Sequence, residues 1–116
     1  MKKSIDLKKI KTNKIKKDLL KNNDLEKVVT IFKALGDLTR VRIITALFDS
    51  ELSVTEITKI SGISQPAVSH HLSILKQQNL VSSNRHAQEI HYYLSDNHIS
   101  DIIKQVKAHV SEKNKI

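Results

Sequence analysis

Ser53-Val54-Thr55-Glu56-Ile57-Thr58-Lys59-Ile60-Ser61-Gly62-Ile63-Ser64-Gln65-Pro66-Ala67-Val68-Ser69-His70-His71-Leu72 is the stretch on which the fold turns. Ser53 and Glu56 have the S-x-x-E spacing of a capping box, in which two orphan backbone donors at a helix start are satisfied reciprocally. A short helix through Ile57 and Ile60 follows. Gly62 suits the left-handed position that ends it. Ser64 then caps a second helix, and Pro66 falls in its first turn, where a missing N–H costs least. Helix, glycine turn and capped helix spell a helix-turn-helix.

The second helix, running to about Gln78, has two distinct sides. Val68, His71, Leu72 and Leu75 cluster on one and read as core, with His71 a buried structural histidine. Pro66, Ser69, His70, Ser73 and Gln77 point the other way. That outer face is short, polar and free of acid, which suits insertion into a major groove. Ser64 and Gln65, at the helix start, are placed to reach a base edge or phosphate. An ordinary surface helix is the plainer alternative, and the turn in front of the helix weighs against it.

Upstream, Asn23 or Asp24 caps a helix through Val28, Val29, Phe32 and Leu35. Gly36 stops it and Asp37 caps the next, Leu38 to about Phe48, whose Ile43, Ile44 and Leu47 face inward. Arg40 and Arg42 read as solvated. Downstream, Val81 to Arg85 and Gln88 to Leu94 read as two strands, with Ile90, Tyr92 and Leu94 alternating against His91 and Tyr93. A hairpin directly after a helix-turn-helix reads as a wing. Arg85, His86 and Gln88 would lie near DNA phosphates or the minor groove. The expected fold is therefore mostly α with a small β-hairpin: a winged helix-turn-helix.

The last helix carries Ile99, Ile102, Ile103, Val106 and Val110 in one apolar stripe. Asp96 with His98 makes one pair of potential metal ligands, and His109 with Glu112 another. Eleven residues rise about 16 Å along a helix, too far for both pairs to share one ion at metal–ligand bonds of about 2 Å. An antiparallel second copy of the helix would bring each Asp96/His98 end to the partner's His109/Glu112 end. A homodimer would then hold two metal ions, each site shared between the chains. The plainer alternative makes Asp96 a cap and the other three a solvated flank.

The chain has 116 residues, enough for one domain with a modest aliphatic core, and no Trp or Cys. The absence of Cys removes thiolate metal sites and disulfides. No apolar run reaches membrane-spanning length and no signal-peptide pattern is visible, so the expected location is cytoplasmic, with no membrane partner. No glycine-rich loop, Cys nucleophile or convincing triad points to an enzyme. The net charge of +8 is uneven. Residues 1–22 hold nine lysines against Asp6 and Asp18, a net of +7, which leaves +1 for the rest. This arm, 1–22, reads as separate from the domain at 23–116. It is either a solubilising tail or a DNA-phosphate arm.

Ile31-Phe32-Lys33-Ala34-Leu35-Gly36-Asp37 followed by Arg40-Val41-Arg42-Ile43, the run from Ser64 to Leu72, and the last helix together resemble the ArsR/SmtB family of dimeric winged-helix metal-sensing repressors. The likeness covers about Leu25 to Glu112. Within that family an Asp-x-His pair and a later His-x-x-Glu/His pair on the last helix mark the zinc-sensing type. Asp96, His98, His109 and Glu112 match that pattern at every spacing. The resemblance implies a metal-free dimer that holds an inverted-repeat operator on double-stranded DNA. It also implies that Zn(2+), two per dimer, releases the operator and induces zinc efflux or homeostasis genes. A nickel or cobalt sensor of the same fold, or a metal-independent repressor, is the alternative. Two departures stand out. Ser53 and Thr55 lie where many relatives carry cysteine ligands, and Ala87 stands where the wing tip usually has glycine.

Overall fold

Asp37, Ser53 and Ser64 each stand in extended backbone one residue before a helix. The computed structural model describes residues 2–21 and 24–114, with side chains described for 7–19 and 24–112. The elements in order are α1 (Lys2–Lys21), α2 (Asp24–Leu35), α3 (Leu38–Ala46), β1 (Leu52–Ser53), α4 (Val54–Ser61), α5 (Gln65–Gln77), β2 (Val81–His86), β3 (Glu89–Leu94) and α6 (Asn97–Asn114). The alternative cap at Asn23 and the far C-terminus lie outside the described residues. The chain divides into two compact units, one up to Lys33 and one from Ala34 onward.

In the first unit, α1 continues to Lys21, and each of its described side chains is exposed. α2 leaves Leu25, Val28, Val29 and Phe32 exposed as well.

The second unit is built from its caps inward. Asp37 accepts from the backbone N–H of Arg40 at 3.0 Å and starts α3. The capping box is complete: Glu56 N–H donates to Ser53 Oγ at 3.1 Å, and Ser53 N–H donates to Glu56 Oε1 at 3.0 Å. Gly62 closes α4 at φ 71, a left-handed conformation that glycine adopts without a Cβ penalty. Ser64 occupies the cap position of α5 but makes no side-chain cap bond; its carbonyl accepts from Val68 N–H at 2.9 Å. At the far end of α5, Asn79 turns left-handed at φ 60. Leu80 N–H then reaches Leu75 O at 2.9 Å and Asn79 N–H reaches Lys76 O at 3.0 Å. That pair of bonds is a Schellman motif, with asparagine in the place glycine usually takes.

These helices pack around Ile43, Ile44 and Leu47 of the α3 segment, Ile57 of α4, and Val68, Leu72 and Leu75 of α5, all nearly or wholly buried. Each such side chain removed from water is worth about 1.5–3 kcal/mol. Leu80, Val81, Ile99 and Ile103 complete the core. Lys104 lies over the Phe48 ring, 5.1 Å from its centroid. Along α6 the apolar stripe is only partly covered: Ile99 and Ile103 are buried, while Ile102, Val106 and Val110 are exposed.

β2 and β3 form the expected hairpin, and the sheet extends beyond it. β1 adds a third strand, and the order is β1-β3-β2 with every pairing antiparallel. Leu52 pairs with Tyr92 and Ser53 with His91, so the residue that caps α4 is also a rung of the sheet. The wing register runs from Val81 opposite Leu94 to His86 opposite Glu89. Gln88 therefore lies in the turn rather than in a strand, beside Ala87, which sits at φ 57. A non-glycine residue there carries backbone strain.

Candidate nucleic-acid interface and metal-binding residues

The sides of α5 divide as its sequence predicts. Val68, Leu72 and Leu75 are buried, and Ser64, Gln65, Ser69, His70, Ser73 and Gln77 are exposed. Hydroxyls, amides and an imidazole thus project from one helix flank, with no carboxylate among them. Such groups bond base edges and phosphates, and a carboxylate would repel the latter.

His71 corrects the expectation of a buried residue. It is half-buried, and its Nδ1 stands 3.5 Å from Arg40 Nη1. Its ring also meets that of His70 edge-on, with centroids 5.4 Å apart. Arg40 is likewise not a solvated side chain. Its Nε donates to the Ala34 carbonyl at 2.6 Å, at the end of α2. The guanidinium therefore joins the α2–α3 corner to the helix that bears the polar face. Arg42 is exposed, as expected.

The wing is fastened at two places, once to α5 and once to the segment between α3 and β1. Lys76 Nζ donates to Ser83 Oγ at 2.7 Å, tying α5 to β2. On the other side His86 Nε2 donates to Glu51 Oε1 at 3.0 Å, and Asn84 Nδ2 to the same oxygen at 3.3 Å. The His86 bond, followed by that of Asn84, holds the Glu51 carboxyl below its usual range against the opposing cost of desolvation. His86 and His91 meet edge-on at 4.7 Å, and His91 Nε2 lies 3.2 Å from Glu89 Oε2. Sequence reasoning placed His86 at the wing tip but missed Glu51, because only the strand register brings residue 51 beside residue 86. Arg85, His86 and Gln88 are all exposed at this tip.

On α6, Asp96 is a cap: its Oδ1 accepts from His98 N–H at 2.9 Å. The same oxygen lies 3.2 Å from His98 Nδ1, so a carboxylate and an imidazole nitrogen are adjacent and open to solvent. His109 and Glu112 are exposed near the other end of α6. Among the described residues, no three His, Cys, Asp or Glu side chains of one chain are placed to hold a metal ion. The donor set itself fits one: two imidazoles and two carboxylates are ligands a borderline divalent ion accepts.

Among the described residues no helix is long and apolar enough to cross a membrane. Residues 37–83 match the family described as bacterial regulatory protein, arsR family. The SmtB homolog of Synechocystis sp., a transcriptional repressor, is 31% identical over 100 residues, 86% of this chain and 76% of its own length. The cadmium resistance regulatory protein CadC homolog of Staphylococcus aureus is 35% identical over 103 residues, 88% of this chain and 84% of its own. Reduced HlyU of Vibrio cholerae superposes with a TM-score of 0.69 at 32% identity, over 78% of this chain and 93% of that one. This fold and these matches are those of DNA-binding regulators rather than enzymes. The chain belongs to the ArsR family of bacterial regulatory proteins, as a winged helix-turn-helix transcriptional regulator of the SmtB and CadC type.

Proposed function

We propose that the protein is a cytoplasmic, homodimeric, zinc-responsive repressor that holds an inverted-repeat operator when metal-free and releases it when zinc is bound. The observation that carries the reading is α6. It presents one exposed imidazole–carboxylate pair near each end and an exposed run of Ile102, Val106 and Val110 between them. A second, antiparallel copy of α6 would cover that run. Asp96 and His98 of one protomer with His109 and Glu112 of the partner subunit would hold one ion, and symmetry would repeat the site. When bound, the ion supplies a bridge between the chains. Two half-sites in the major groove lie about 34 Å apart, so a bridged orientation of the two α5 helices that misses this spacing loses both. Ser64, Gln65, Ser69, His70 and Ser73 would read and position the DNA, and Arg85, His86 and Gln88 would contact it from the wing. Genes of zinc efflux or homeostasis would be the ones derepressed. The 1–22 arm would stand apart from the 23–116 domain.

Subunit mixing tests the reading. His98→Ala and His109→Ala homodimers should bind DNA as the wild type does and fail to release it with zinc. Mixed heterodimers should regain about one competent site, since each site draws on both chains. Stoichiometric zinc binding by a monomer would sink the inter-chain arrangement. Nickel that releases DNA as fully as zinc would sink the zinc assignment while leaving the metal-sensor reading intact.

A further inference from the structure

We propose that α1 is a second DNA-contacting surface, one that grips duplex phosphates without reading sequence; this rests on the DNA-binding reading above. The helix spans Lys2–Lys21, a continuous rod about 30 Å long at 1.5 Å per residue. Lys8, Lys9, Lys11, Lys14, Lys16 and Lys17 are all exposed along it. The segment carries a net +7 of the chain's +8.

The distribution of these charges selects the partner. Leu7, Ile10, Ile15 and Leu19 are exposed but spread over about half the circumference of the helix, with Lys8, Lys11 and Lys14 among them. Among the described side chains no unbroken apolar face remains to sink into a lipid surface or a protein groove. Lys8 with Lys11 and Lys14 with Lys17 are like-charged neighbours one turn apart, an arrangement that repels itself in water. A polyanion at close range removes that repulsion. Duplex DNA, with one negative charge per about 1.7 Å of axis, offers a line of phosphates as long as the rod. Ammonium groups are point charges on flexible stems, so they neutralise phosphates without fixing a base register.

The test replaces Lys8, Lys9, Lys11, Lys14, Lys16 and Lys17 together with glutamine in the full chain, glutamine being about as good a helix former as lysine. A second variant puts arginine at the same positions. Affinity is measured against potassium chloride for two probes: a random-sequence duplex and a duplex enriched from a randomised pool by the wild-type chain. For the glutamine variant, the slope of log affinity on log salt should fall by about 0.9 for each phosphate that is no longer neutralised, by at least three units in all. Affinity for both duplexes should fall tenfold or more, with their ratio unchanged. The arginine variant should keep the wild-type slope. An unchanged slope in the glutamine variant, or an arginine variant that behaves like it, overturns the proposal. So does wild-type binding to phosphatidylserine vesicles that matches duplex binding and is the only binding the glutamines abolish. Failure of the wild-type chain to enrich any sequence would instead sink the DNA-reading function of α5, whatever the slopes show.

Discussion

Arg40 Nη1 and His71 Nδ1 stand 3.5 Å apart, while the Nε of the same guanidinium donates to the Ala34 carbonyl at 2.6 Å. One planar side chain thus satisfies an orphan acceptor at the end of α2 and an imidazole on α5. Arg40→Ala should cost about 1–3 kcal/mol, the range for leaving a partly buried polar group unmatched. Arg40→Lys should recover little of it, because a single ammonium cannot serve two directions as a fork does. Urea midpoints at fixed protomer concentration measure both. A lysine variant as stable as wild type would show that charge alone is needed.

Acid should unfold the second unit partly through three carboxylates. Asp37 is held below its ordinary value chiefly by the Arg40 backbone N–H. Glu51 is held down by the His86 hydrogen bond and Glu56 by the Ser53 backbone N–H. Each folded value lies below the unfolded one, near 4. The stabilisation is therefore complete above the unfolded value and lost as pH falls through the lowered one. Asp37→Asn, Glu51→Gln and Glu56→Gln should each flatten the decline of stability between about pH 5 and pH 2, read by thermal melts along a pH series. A decline as steep as wild type in all three would count against these contacts.

The wing tip offers a gain. Ala87 lies at φ 57, where a Cβ costs about 1–2 kcal/mol. Glycine escapes that strain and gives back part of the difference in unfolded-chain entropy. Ala87→Gly should raise stability by up to about 1 kcal/mol. A lower urea midpoint would show that the alanine side chain contributes more than its backbone loses.

The helix-turn-helix corner predicts the reverse. A Cβ added at Gly62 meets nothing within 4 Å, yet φ is 71. The cost of Gly62→Ala is therefore backbone strain less the unfolded-chain entropy that alanine removes, about 1 kcal/mol net. Gly62→Asn should cost less, since asparagine tolerates this region better. Equal losses for alanine and asparagine would point to a steric rather than a torsional origin.

Much of this fold was legible because its signals are local. The Asp37 cap, the Ser53/Glu56 box and the Gly62 stop act over three or four residues, and the two sides of α5 follow from helical period. What escaped the sequence depends on distant pairing. β1 is two residues long, and its partners Tyr92 and His91 come about forty positions later. Arg40 looked solvated because its acceptor is a main-chain carbonyl, which no residue pattern advertises. Asp96 and His98 were readable as a pair because they share one helix start. His109 and Glu112 lie near the far end of the same helix, so the shared site proposed above rests on helix rise and a second copy of α6 rather than on any contact within one chain.

Ser53 is at once the cap of α4 and a rung of the sheet opposite His91, and Lys76 fastens α5 to β2. The wing therefore has no hinge of its own against the helices that precede it. On the zinc-release reading proposed above, guanine N7 protection from dimethyl sulfate in the major groove and hydroxyl-radical protection of the backbone at the wing should vanish together as zinc is titrated, with no intermediate in which the hairpin lets go first. Lengthening the Ala87–Gln88 turn would alter how far the tip reaches and leave that synchrony intact.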